Sequence, residues 1–133
     1  MQGLFNTMIK LYHYSNKKFD TVKPSFFGDN YFTLNDVTAS KVARAFFYLS
    51  DTPLEKIFFN TLYKYTAVID ESKIYDLRTD KKDLKARYKN DVRGLVSYCK
   101  RYFSGLVYNS GIDIVCLFDN IAVTRQLHKE KTL

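Results

Sequence analysis

His13 and Ser15, two residues apart, and Tyr31 followed by Phe32 and Thr33 are the side chains whose types and spacing best suit work on a bound ligand. The runs Met8 to Tyr14 and Tyr31 to Thr33 read as strands, because apolar and aromatic residues dominate both. Pro24 and Gly28 punctuate the polar stretch between them, which reads as a loop. Two such strands can hold one flat ligand between them. An imidazole donates and accepts hydrogen bonds, a hydroxyl does both, and a tyrosine ring adds a flat face with a polar tip. A plainer reading stands beside this one: a histidine flanked by Tyr12 and Tyr14 on a strand is commonly a satisfied structural residue.

Other elements must position these residues. Asn35 or Asp36 can cap a helix from Asp36 to Leu49, in which Ala39, Val42, Ala43 and Phe46 recur at helical spacing. Thr52 and Glu55 form a capping box for a short helix, Leu54 to Thr61, with Pro53 in its first turn. Tyr63 to Ile69 and Ile74 to Leu77 read as the two strands of a hairpin. Thr79 or Asp80 can cap a helix reaching toward Phe103, with Leu84, Tyr88, Val92, Leu95 and Val96 as its apolar stripe. Its other face carries Lys81, Lys82, Lys85, Lys89 and Arg93, ordinarily a solvated surface, and Tyr88, Tyr98 and Tyr102 near it could stack on bases. Leu106 to Asn109 and Ile112 to Phe118 flank a turn at Ser110-Gly111, Ile121 to Thr124 reads as a third late strand, and a polar tail is expected from His128. Strands at both ends with helices between predict an α+β fold on a mainly antiparallel or mixed sheet.

The order strand, loop, strand, helix, with His13-x-Ser15 and Tyr31-Phe32-Thr33 at these places, resembles the ADP-ribosyltransferase superfamily. The resemblance implies a split, curved, mainly antiparallel sheet with flanking helices, formed by residues 1–133 as a single domain. It also implies NAD+ as ADP-ribose donor. In that setting His13 and Ser15 would meet the ribose or carboxamide, Tyr31 the nicotinamide ring, and Thr33, Arg44 and Phe46 the rest of the pocket. The family's third motif is an acid near the start of a late strand. Gly111 to Asp119 looks like that strand, and Asp113 stands where a glutamate is usual. Val42 stands where a second ring-clamping aromatic is expected, with Phe46, Phe47 and Tyr48 nearby as core or clamp. Asp80, in Thr79-Asp80-Lys81-Lys82, resembles the catalytic acid segment of antibiotic-modifying members, but is better explained as a helix cap.

The activity implied is NAD+-dependent transfer of ADP-ribose to a macromolecule, protein or nucleic acid, with catalytic His13, Tyr31 and Asp113. Small transferases of this kind occur among bacterial toxins and phage proteins that act on a host. An NAD+-degrading toxin of the RES type is the alternative enzyme, suggested by Gly105 to Ser110 with Val115 to Phe118, although His13 stands where that family has arginine. A non-enzymatic relative that binds nucleic acid or an acidic protein is the third reading.

Composition bounds the rest. A chain of 133 residues with 46% hydrophobic content can bury one core, and it holds 11 Tyr, 11 Phe and no Trp. The net charge of +7 creates a positive field that concentrates anions. Cys99 and Cys116 lie in no Cys/His cluster, which argues against a disulfide framework or a metal site. No apolar run is long enough to span a bilayer and no secretory leader is evident, so a cytoplasmic protein without membrane contact is expected, in the host cytoplasm if phage-encoded.

Overall fold

The computed structural model describes residues 7–15, 17–24, 30–39 and 61–129. Arg44, Phe46 and most of the helix expected from Asp36 lie outside the described residues, as does the short helix expected from Leu54 to Thr61 apart from its last residue, Thr61, which begins a strand instead. Seven strands form one sheet: β1 (Met8–Ser15), β2 (Tyr31–Thr33), β3 (Thr61–Asp70), β4 (Ile74–Asp76), β5 (Gly105–Asn109), β6 (Asp113–Leu117) and β7 (Thr124–Lys129). Their order is β4-β5-β6-β2-β1-β3-β7. Among the described strands only β4 and β5 pair in parallel, so the protein is α+β with a mixed, mainly antiparallel sheet.

Side chains alternate across a strand, so register decides which residues share a side. Pairing of Tyr12 with Thr33 and of Phe32 with Val115 puts Leu11, His13, Phe32 and Val115 on one side, the His13 face. There Leu11, Phe32, Tyr65, Ala67, Val115 and Leu117 form the larger core, closed by Val22 from the segment 17–24. That segment is held by Val22 N–H donating to Ile121 C=O (2.8 Å) and Val123 N–H donating to Asp20 C=O (3.0 Å). The opposite side, the Tyr31 face, carries Tyr75 and Leu106. These pack against helices α1 (Leu84–Arg87) and α2 (Val92–Tyr102) through Leu84, Leu95 and Cys99.

Three expectations are corrected. Strands β3 and β4 do not form a hairpin: a 3-10 turn at Glu71–Lys73 redirects the chain, both edges of β3 are taken by β1 and β7, and β4 joins β5 at the far edge. The helix expected from Thr79 or Asp80 toward Phe103 is two helices. Asn90 between them has φ +62°, a left-handed conformation that interrupts a helix, and Asp91 restarts it by accepting the Gly94 N–H at 2.9 Å. Val92 consequently leaves the apolar stripe and is 75% exposed. Finally, the last strand begins at Thr124 rather than Ile121, and the backbone at His128 and Lys129 pairs with β3 instead of trailing away. Among the described residues no helix is long and apolar enough to cross a membrane.

Candidate functional site

Strands β1, β2 and β6 lie side by side, and they carry His13, Tyr31 and Asp113 respectively. Three segments far apart in sequence thus meet in one layer. His13 is half-buried on its face, with ring centroids 5.1 Å from Phe32 and 6.3 Å from Tyr65. The wall behind it is braced: Phe19 stacks on Tyr65 at 4.0 Å, and the Tyr65 hydroxyl donates to Lys17 C=O while accepting the Phe19 N–H at 3.0 Å. Ser15 shares the His13 face at the end of β1, is 8% exposed, and its Oγ accepts the Lys17 N–H at 3.0 Å.

Asp113 falls on the same face, because it stands two residues before Val115 on β6. Sheet spacing places the Cα atoms of His13 and Asp113 roughly 12 Å apart. The Asp113 carboxylate is held from two sides. Asn109 Nδ2 donates to Oδ1 at 3.0 Å and Arg78 Nη1 donates to Oδ2 at 2.9 Å. Arg78 is itself fixed by Asp76, to which Nε and Nη2 each donate at 2.9 Å. The Asn109 hydrogen bond, then Arg78, keep the Asp113 carboxyl below the usual range despite a contrary effect of burial, so it is anionic at neutral pH. Beside it the β5–β6 turn is set by Gly111 at φ +83° and by Asn109 Oδ1 accepting the Gly111 N–H at 3.2 Å.

Tyr31 projects to the other side. Its neighbour in register is Cys116, and burial, then Cys116, push its hydroxyl pKa up. Burial also pushes the Cys116 thiol up, which makes it a poor thiolate. Both cysteines are free thiols. Thr33 is 6% exposed and its hydroxyl donates to Asn35 C=O at 2.7 Å; Asn35, rather than Asp36, caps the helical turn at 36–39 by accepting the Thr38 N–H at 3.1 Å. Asp36 instead accepts from Tyr14 and Lys64.

Among the described residues only one pair, Tyr12 with Thr33, joins β1 to β2, whereas β1 and β3 pair along eight. The sheet is weakest between the strands of His13 and Tyr31. A cleft of about 960 Å³ lies on each side of the sheet. One is lined by Tyr31, Tyr108, Cys116 and Lys100; the other reaches from Ile9 over Val115 to Asp76 and Arg78. His13 and Asp113 are in neither lining; the second cleft adjoins them through Val115, and Arg78, the partner of Asp113, lines both clefts.

Asp80 is occupied elsewhere. Its carboxylate accepts from Tyr75 and from the N–H groups of Leu84 (2.9 Å) and Lys85 (3.0 Å), capping α1 on the helix side of the sheet. Burial, with Asp80 close by, pushes the Tyr75 hydroxyl up to about 12. Arg78 escaped the sequence reading. The nearby spacing Asp76-x-Arg78 was a local signal for the first ion pair, but its reach to Asp113 depends on the long-range parallel pairing of β4 with β5. Among the described residues no three His, Cys, Asp or Glu side chains converge as a metal site would require. No family model, curated protein or solved structure matches this chain.

Proposed function

We propose that this chain is an ADP-ribosyltransferase, which binds NAD+ and transfers ADP-ribose to a macromolecular acceptor. The observation that carries this reading is the strand order β6-β2-β1, which makes neighbours of the strands bearing Asp113, Tyr31 and His13. In the reaction the ribose C1′–nitrogen bond to nicotinamide breaks and nicotinamide leaves with the bonding pair. An acceptor lone pair forms the new C1′ bond, and the acceptor releases a proton. Positive charge develops on the ribose between the two events, so a fixed carboxylate facing it lowers the barrier more than it strengthens ground-state binding. Asp113, ionised by its hydrogen bonds, has that character. His13, on the same face, holds a ribose hydroxyl, with Ser15 beside it. Tyr31 faces the opposite side of the sheet, so it offers its ring only to a ligand that reaches past the thinly paired β1–β2 seam.

An assay following nicotinamide, free ADP-ribose and acceptor-bound label from NAD+ tests this. Nicotinamide release matched by acceptor label is the expected result; release matched by free ADP-ribose identifies a hydrolase instead. A second reading, a binding protein without catalysis, draws on the fact that both Asp113 oxygens are already engaged. Absence of nicotinamide release under every condition would establish it.

A further inference from the structure

We propose that the flank of α1 and α2 bearing Tyr88, Tyr98 and Tyr102 binds single-stranded nucleic acid. Residues 81–102 hold eight Lys and Arg against two Asp, so the segment that contains α1 and α2 carries a net charge of +6 of the chain's +7. Among the described residues none of these eight side chains is in an ion pair. Two of the three guanidiniums, those of Arg87 and Arg101, lie on rings instead. Arg87 sits 6.0 Å from the Tyr88 centroid and 5.4 Å from that of Tyr98, and Arg101 sits 5.5 Å from Tyr102.

The rings themselves form a row. Tyr88 and Tyr98 centroids are 6.1 Å apart, Tyr98 and Tyr102 centroids 4.8 Å apart, and Tyr102 is 58% exposed. Tyr88 and Tyr98 also pack on the core of Leu84, Leu95 and Cys99, and Tyr102 carries the row out to the surface among the cations. Base faces stack on aromatic rings while neighbouring cations neutralise phosphates, and this pairing of functions suits an unpaired strand. Duplex bases hide their faces in the stack, and an acidic polypeptide offers carboxylates but no bases for the row. Helix α2 packs on the Tyr31 face, away from His13 and Asp113. The surface adjoins Tyr31 through the cleft that Tyr88 and Lys100 line but excludes His13 and Asp113, so oligonucleotide binding is measured apart from the NAD+ reading, and where both hold it names the acceptor class.

Fluorescence anisotropy without NAD+, using the full chain and a labelled oligothymidine of about twelve nucleotides, tests the proposal. We expect binding that weakens as salt rises. Tyr102→Ala should weaken it about tenfold or more with the salt slope unchanged. Replacing Arg87 and Arg101 together by Gln should lower that slope by about 1.4. Lys10→Ala, an exposed cation on β1, should behave as the parent does. Equal affinity for a duplex or for polyglutamate would overturn the proposal, as would a Tyr102→Ala variant that is folded by circular dichroism and binds like Lys10→Ala. His13→Ala should bind the oligonucleotide unchanged, so failure of catalysis and failure of this surface are separately visible.

Discussion

Arg78 joins two carboxylates on neighbouring parts of the sheet: Nη1 donates to Asp113 at 2.9 Å, while Nε and Nη2 grip both oxygens of Asp76. A planar guanidinium held by three of its donors cannot swing, so Asp113 is positioned as well as ionised.

Replacing Arg78 by Gln should lower the melting temperature at neutral pH and hardly at all in strong acid. The carboxyls of Asp76 and Asp113 both lie below their ordinary value when folded, Asp76 chiefly through its Arg78 hydrogen bonds. Their stabilisation is therefore complete above the ordinary carboxylate pKa of about 4 and is lost as pH falls through the folded values. Melting curves of parent and variant between about pH 2 and 7 should converge at the acid end. A gap that stays constant with pH would contradict the linkage.

Asp113→Ala and Asp80→Ala should fail differently. Asp113→Ala should remain folded and lose turnover far more than NAD+ affinity, as expected for a group whose interaction is strongest in the transition state. Asp80→Ala removes the acceptor for the Leu84 and Lys85 N–H groups and for the Tyr75 hydroxyl. It should destabilise by about 1–3 kcal/mol and leave the turnover of folded protein intact. Denaturant titration beside nicotinamide release separates the two, and an active Asp113→Ala paired with a folded, inactive Asp80→Ala would reverse the assignment.

Saturating NAD+ should raise the melting temperature, since a ligand at about a hundred times its Kd stabilises by about 2.7 kcal/mol. His13→Ala should reduce that shift, because it empties the space beside Phe32 and Tyr65. Nicotinamide alone should compete. No shift at millimolar NAD+ would remove the ligand from this sheet.

Gly105→Ala should destabilise the β4–β5–β6 end by about 1–3 kcal/mol. A Cβ there would come within 2.8 Å of Ile74 Cδ1 and 3.0 Å of the Cys116 carbonyl oxygen, and the latter belongs to a paired strand that cannot recede. Thermal unfolding should register the loss. Full stability would mean that the two strands separate more readily than their pairing implies.

Local chemistry made part of this protein readable from its residues alone. Tyr31 to Thr33 is the β2 strand, Met8 begins β1, Ser110-Gly111 turns between β5 and β6, and Asp80 caps a helix. Each depends on neighbours within a few positions: alternation, a glycine with positive φ, a carboxylate next to unpaired N–H groups. Pairing partners were not readable in that way. Tyr63 to Ile69 and Ile74 to Leu77 have the composition of a hairpin, yet β4 lies five places from β3 in the sheet, because strand edges are satisfied by whichever distant strand fits. The same holds for the site. The sequence by itself determined that a histidine, a tyrosine and an aspartate would lie on strands; only the tertiary register decided that His13 and Asp113 share a face, that Tyr31 takes the other, and that Arg78 reaches Asp113. The physical reason is the two-residue period of a strand, in which a shift of one position in pairing exchanges the faces, and nothing local to any one strand specifies that shift.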